Sequence, residues 1–372
     1  MLKDILEILY SPEMRNKIAW FEKERKKYAF KVRLFNYIAI ISLVLAIIFM
    51  SGVFLPALEN FHFSYNLPVP QMLNYNPNGF MIYALFMGFL SMILMLFLTP
   101  IPYIFLAALF ALAANICKHH FVKEVKKEIL SDIFKSFIDK LYYNLGRMKL
   151  IPIYLTAIVP IFSFIQEGIN LFLYARNISN LPENAVRNFE IIPNNYFLYP
   201  DDTIGGIYNN HEIVITEIDL YNLHRSRRSS AKISAAIAGF RGVIYQTKSE
   251  GTISAQIYIE NKHIGLKLNR TNLAKVDITS SVFNRLYNVY SDNQDAARSF
   301  LTSAKMKELV GLYNKGQVIH LFCTNQDTTI VKKAAKDSFE PDIYKPMNDP
   351  ASYYEILTDT KEMLDFITNF QA

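Results

Sequence analysis

The chain has 372 residues, of which 51% are hydrophobic and 19% charged, with a net charge of +6. So high an apolar share excludes a disordered polar chain. Two cysteines, Cys117 and Cys323, exclude a disulfide-framed small domain, and both read as inert packing residues.

Residues 1–33 read as a basic, amphipathic, cytoplasmic helix. Ser11-Pro12-Glu13 supplies a hydroxyl cap, a proline for the first turn and an acid near the positive end of the helix dipole. Nine basic residues follow one another before the first apolar run: Lys3, Arg15, Lys17, Lys23, Arg25, Lys26, Lys27, Lys31 and Arg33. No charged residue then occurs over 34–58, nor over 80–117. About 20 apolar residues suffice to cross a bilayer as a helix. An N-terminal transmembrane helical hairpin is therefore expected over 34–117, with spans at about 34–55 and within 80–117. The loop 59–79 lacks Lys and Arg and holds Tyr65, Pro68, Pro70, Tyr75 and Pro77, as suits a short external turn at the headgroups. Basic residues return at Lys118, Lys123, Lys126 and Lys127. Because basic flanks resist translocation, both termini are expected in the cytoplasm, with the protein multi-pass in the inner cell membrane.

The second apolar run is nearly twice as long as one span requires. Thr99-Pro100-Ile101-Pro102 interrupts it. A single kinked span with an interfacial piece keeps both basic flanks inside. Two spans, 80–98 and 103–117, would place the second flank outside. The first run starts too deep and is too long for a signal peptide, so it reads as an uncleaved anchor.

Residues 118–180 read as juxtamembrane helices with an apolar insertion. Val122, Val125, Ile129, Ile133, Phe134, Phe137 and Leu141 recur at helical spacing. The apolar patch 150–166, broken by Pro152 and Pro160, suits an interfacial segment, a weak span or a buried helix. Residues 181–372 read as a soluble α+β domain with a mainly antiparallel sheet. Strand patterns fall at 207–220, 241–247, 253–259, 263–268, 282–290 and 318–324. Ser291 and Asp292 read as a helix cap. A helix over 303–313, stopped by Gly316, and a final helix over 353–370 complete the domain.

No catalytic, cofactor-binding or metal site is expected. Gly205-Gly206 and Asp201-Asp202 read as turn signals rather than a phosphate loop or an acid pair. His119-His120 has no third ligand at metal spacing, and basic neighbours repel a cation. His211-Glu212 reads as surface. One cluster carries more: Arg225, Arg227, Arg228 and Lys232, with His224 and intervening serines, link two strands. The plain reading is a solvated hairpin loop. The sharper one is contact with an anionic surface, each arginine contributing about 1 kcal/mol near the headgroups. Nucleic acid is not expected, since acids are interspersed and no stacking platform is evident.

Several ordered segments resemble a known family. They are Gly206-Ile207-Tyr208 with Ile213-Val214-Ile215-Thr216-Glu217-Ile218, then Phe240-Arg241-Gly242-Val243-Ile244-Tyr245. Val289-Tyr290-Ser291-Asp292 follows, with Asp295-Ala296-Ala297-Arg298 and Leu301-Thr302. Asp337-Ser338-Phe339-Glu340-Pro341 and Lys345-Pro346 close the set. Together they resemble a bacterial membrane family known only as domain of unknown function 3137, over roughly 118–372 and in the two-anchor layout. Residues 150–174 depart from that pattern as an insertion. The resemblance implies the architecture and no activity. Within the set, Arg298 is a candidate partner for Asp292, Asp295 or Glu340, and Phe339-Glu340-Pro341 a pin at a strand exit.

The function these readings imply is a membrane-tethered cytoplasmic binding or interaction module. Its partners would be the bilayer itself and either a protein or anionic lipid. The alternative is a membrane-bound hydrolase or transferase whose site forms only in three dimensions, with Glu217, Asp219 and His224 near one strand end.

Overall fold

The computed structural model describes residues 9–48, 101–144, 196–222, 240–249, 253–270, 272–334, 339–347 and 351–371, together with Glu7 and Ile192. The chain divides into two compact units. One comprises Met1–Lys26, His119–Lys149 and Thr156–Ala372; the other comprises Lys27–Lys118 and Leu150–Leu155.

Helix α1 (Pro12–Ile48) begins where the sequence marks a start: Ser11 Oγ accepts from the Met14 amide at 3.2 Å. Helix α2 (Ile101–Val125) starts inside the Thr-Pro-Ile-Pro interruption, with Pro102 in the first turn, where a missing N–H is harmless. A single π turn, Lys126–Leu130, follows it, then α3 (Ser131–Lys135). Residues 80–100 and 150–174, including the first half of the long apolar run and the apolar insertion, lie outside the described residues.

The described residues of the larger unit form an α+β structure around one nine-stranded antiparallel sheet. Its strands are β1 (Asp139–Asn144), β2 (Tyr196–Tyr208), β3 (His211–Asn222), β4 (Phe240–Lys248), β5 (Ile257–Asn261), β6 (Ala274–Val276), β7 (Tyr287–Ser291), β8 (Ile319–Cys323) and β9 (Asp327–Lys333). They lie in the order β1-β2-β3-β4-β9-β8-β5-β7-β6. Helices α4 (Ser281–Leu286), α5 (Gln294–Phe300), α6 (Ser303–Asn314) and α7 (Ala351–Gln371) accompany it, and α7 packs on β4 and β9.

Both faces of the sheet are covered, and this shows in β3. Ile213 through Leu220 are all 4% exposed or less, so the strand is buried on both sides. One face carries a continuous apolar core of Leu198, Ile218, Leu220, Phe240, Ile244, Tyr258 and Val331, over which Ile264, Leu266 and Leu268 close. Each fully buried aliphatic side chain here contributes about 1.5–3 kcal/mol.

The helices over 303–314 and 351–371 and the strands at 240–248 and 319–323 fall where the sequence pattern places them. Other expectations are corrected. The single strand expected over 207–220 is two, joined by a two-residue turn at Asn209 and Asn210, whose φ of 48° and 67° suit the short amide side chains. The strand expected over 282–290 starts as helix α4, because Ser280 Oγ accepts from the Phe283 amide at 3.4 Å and caps it; β7 begins only at Tyr287. Residues 263–268 form no strand, and their apolar side chains serve as a lid on the core instead. The strand expected over 253–259 forms only at Ile257–Asn261. Helical spacing through Leu141 misleads as well: the helix stops at Lys135, and β1 pairs with β2 from Asp139. The pair Ser291-Asp292 does not cap α5; Asn293 does, accepting from the Ala296 amide at 3.1 Å, while Asp292 accepts from the Gln256 amide.

Gly205 and Gly206 are not a turn. They lie inside β2, opposite Val214 and Ile213, and let β1 approach closely. A Cβ on Gly206 would stand 2.5 Å from the Asp139 carbonyl oxygen, a backbone atom, whereas one on Gly205 would meet the Tyr142 ring. Near the start of α1, Glu22 and Arg25 form a bidentate pair at 2.7 Å that grips the C-terminal segment. Arg25 donates to the Ile343 carbonyl, and Glu22 accepts from the Met347 amide, both at 2.9 Å.

In the smaller unit the described parts of α1 and α2 pack through small residues. Ala39 and Ala111 form the contact, with Ala108 and Phe110 beside them. The buried side chains here are Ala29, Val32, Ala39, Ser42, Ala46, Ala107, Ala111 and Ala114.

Gly206→Ala should lower stability by about 1–3 kcal/mol, as overpacking does, in thermal unfolding of the detergent-solubilised protein. Gly205→Ala should be partly rescued by Tyr142→Ala, and Gly206→Ala should not. The Arg25 hydrogen bond holds the Glu22 carboxyl below its usual range. A depressed carboxylate adds stability that is present above its unfolded value and lost as pH falls through its folded one. The acid limb of the stability–pH curve should therefore be shallower in Glu22→Gln than in the wild type.

Candidate functional site

The basic cluster Arg225, Arg227, Arg228 and Lys232, with His224, lies outside the described residues. His211 and Glu212 open β3 after the hairpin turn, and Glu212 pairs with Lys248. Among the described residues no group of His, Cys, Asp or Glu is arranged to hold a metal ion. Burial pushes the Cys323 thiol up to about 12, so it is a packed thiol.

Glu217 and Asp219 belong to a polar seam on the helix-covered side of the sheet. Asp219 is engaged: Arg241, its cross-strand neighbour, donates through Nε at 2.6 Å and Nη2 at 3.1 Å. Glu217 is 3% exposed and lies opposite the irregular stretch of β2 between Pro200 and Thr203. Asp202, in that stretch, is not a turn residue. It is fully buried and pairs with Lys126 of the π turn at 2.6 Å, while the Tyr143 hydroxyl donates to it at 3.2 Å. Burial, reinforced by the Asp202 charge, keeps the Tyr143 hydroxyl protonated far above its usual range. Farther along, Lys332 pairs with Asp359 of α7, which also accepts from Gln317 at 2.8 Å. Three acid–base pairs of the seam, Asp219 with Arg241, Asp202 with Lys126 and Asp359 with Lys332, link β3 to β4, β2 to the π turn and α7 to β9.

The opposite face holds a second polar group that sequence reasoning missed. Tyr258 and Glu260 of β5 stand opposite Tyr290 and Asn288 of β7. Tyr258 stacks on Tyr290 with ring centroids 6.0 Å apart and lies 5.6 Å from the His320 ring. His320 is fully buried. Its Nδ1 accepts from the Asn261 amide at 3.0 Å, so the proton resides on Nε2, which donates to the Leu266 carbonyl at 2.7 Å. Burial pushes its pKa down to about 4. Both nitrogens are committed to backbone, so His320 is a neutral pin for the lid rather than a free base. Glu260 Oε2 accepts from Asn288 Nδ2 and Tyr290 Oη, each at 3.3 Å. Arg270 lies with its guanidinium 4.4 Å above the Tyr290 ring and Nη1 3.6 Å from Glu260 Oε2. The group depends on the register Tyr258↔Tyr290, and no local motif announces it.

The class defined by these observations is an α+β domain with one antiparallel sheet, in a chain that also carries two long apolar helices. Residues 238–372 match the family described as protein of unknown function (DUF3137). That confirms the resemblance for the C-terminal part; the Gly206–Ile218 segment lies outside the matched residues. The second polar group, Glu260 to His320, lies wholly inside them. Within the family segments, Arg298 pairs with Asp295 at 3.2 Å, and Phe339 is buried edge-on against Phe134 with centroids 6.0 Å apart. No curated protein sequence matches the chain. Among solved structures, the mycobacterial trehalose monomycolate transport factor A, TtfA, is similar at 10% identity, covering 48% of this chain and 80% of that one, with a TM-score of 0.27. A likeness so slight carries no argument about this chain.

Removing one member of the buried pair leaves the other charge stranded, which costs about 3–5 kcal/mol. Lys126→Met and Asp202→Asn should each destabilise on that scale in equilibrium unfolding. The double variant Lys126→Met/Asp202→Leu should lose less than the sum of Lys126→Met and Asp202→Leu measured singly, because no lone charge remains.

Proposed function

We propose that this protein is a membrane-anchored binding module, held by α1 and α2 and presenting its α+β domain to a protein partner or anionic lipid at the cytoplasmic face. The packing of the smaller unit carries this reading. Among its described residues the buried side chains are almost all alanine or serine, while Ile40, Ile41, Val44, Ile47, Ile48, Phe105 and Leu109 are each 48% exposed or more. A water-soluble helix pair would bury the large side chains. A pair solvated by lipid gains nothing from that and packs through small residues that let backbones approach. Two helices, Pro12–Ile48 and Pro102–Lys135, are long and apolar enough to cross a membrane by length and composition. The basic flanks at 15–33 and 118–127 support a cytoplasmic position for both termini, and the arginine cluster at 225–228 supports a lipid-facing surface on the same side.

The test is fractionation and topology in cells. After an alkaline carbonate wash the full chain should remain in the membrane pellet. Reporter fusions placed after Ile129 and at the C-terminus should both read cytoplasmic. Release by carbonate would overturn the anchoring. An external C-terminal reporter would overturn the orientation.

A further inference from the structure

Glu260 is a carboxylate that its surroundings leave half-satisfied. Its side chain is 9% exposed. Oε2 accepts two long hydrogen bonds, from Asn288 and Tyr290. Oε1 is buried and has no hydrogen-bond partner among the described residues. A buried carboxylate short of donors is held at a penalty that an incoming cationic donor relieves.

A cation already stands nearby. The Arg270 guanidinium covers the Tyr290 ring, in the arrangement by which a planar cation is attracted to an aromatic face. Its distance of 3.6 Å from Glu260 is beyond hydrogen-bond reach. Arg270 reaches the site from the irregular stretch between β5 and β6, which is fixed farther back by buried Ile264, Leu266 and Leu268 and by the His320 bond to Leu266. It therefore stacks on the ring without forming the two-pronged pair that Glu260 could accept. It is also 30% exposed, so the site opens to solvent.

We propose that Glu260, Tyr290 and Asn288 form a guanidinium-recognition site for an arginine side chain of a protein partner. Arg270 is the chain's own occupant, which that side chain displaces. A guanidinium free of the lid stacks on Tyr290 as Arg270 does and also donates to both carboxylate oxygens, the stronger geometry. This rests on the reading of the domain as a binding module and names the partner's chemistry; it is independent of membrane attachment.

The test uses the full chain in detergent, titrated calorimetrically with N-acetyl-arginine amide. Arg270→Ala should bind it saturably, at least tenfold more tightly than the wild type does. Adding Glu260→Gln to that variant should abolish binding, with thermal unfolding confirming that each protein is folded. Arg270→Gln serves in the same comparison should the alanine variant not fold. Equal binding by the wild type and the Arg270 variant, or retained binding after Glu260→Gln, would overturn the proposal. Equal affinity for N-acetyl-lysine amide would overturn the guanidinium assignment. The carbonate wash and the reporters are unaffected by any of these results, so the two readings fail separately.

Discussion

A charged pair sealed from water, Lys126 with Asp202, sets the terms for the rest of the larger unit. Neither ion can be hydrated where it sits, so each must stay within contact distance of the other. The demand reaches back into local geometry. The helix after α2 widens into a π turn beginning at Lys126, and β2 becomes irregular next to Asp202. Both are departures from regular structure of the kind that re-aims a side chain. With that pair in place, Phe134 sits beside Tyr143 and Phe339, and helix α3 and strand β1 follow.

The other face is organised by a neutral residue rather than an ion pair. His320 divides its two nitrogens between the Asn261 amide and the Leu266 carbonyl, and so joins a strand to an irregular stretch that forms no ladder of its own. The apolar side chains of that stretch replace what a further strand or helix would contribute. The two faces thus use different means of covering a sheet, and on the second Arg270 stays 30% exposed at the rim.

How much of this was legible in the sequence depended on the range of the interaction. The helix start at Ser11, the helix at 303–314 and its stop at Gly316, whose φ is +84°, follow from nearest neighbours, and they were readable. The strand at 240–248 was readable because Val243, Ile244 and Tyr245 are strong strand formers in a row. Asp201-Asp202 and Gly205-Gly206 were misread because turn chemistry and close packing use the same residue types. Only the neighbouring strand β1 and the distant Lys126 reveal which applies. The group at Glu260 was invisible for a related reason. No motif around Glu260 signals a site, and the pairing with Tyr290 and Asn288 exists only once β5 and β7 are in register.

The grip of Glu22 and Arg25 on Ile343 and Met347 has a consequence in time. The bonded residues are separated by 318 and 325 positions. A ribosome releases the chain in order, so residues 12–26 are made long before their hydrogen-bond partners exist. Contacts of such separation are formed late and slowly, although the closure entropy grows only with the logarithm of loop length. The apolar stretches at 34–58 and 80–117 emerge in between. Both have left the ribosome before the first helix can meet the segment that completes its unit.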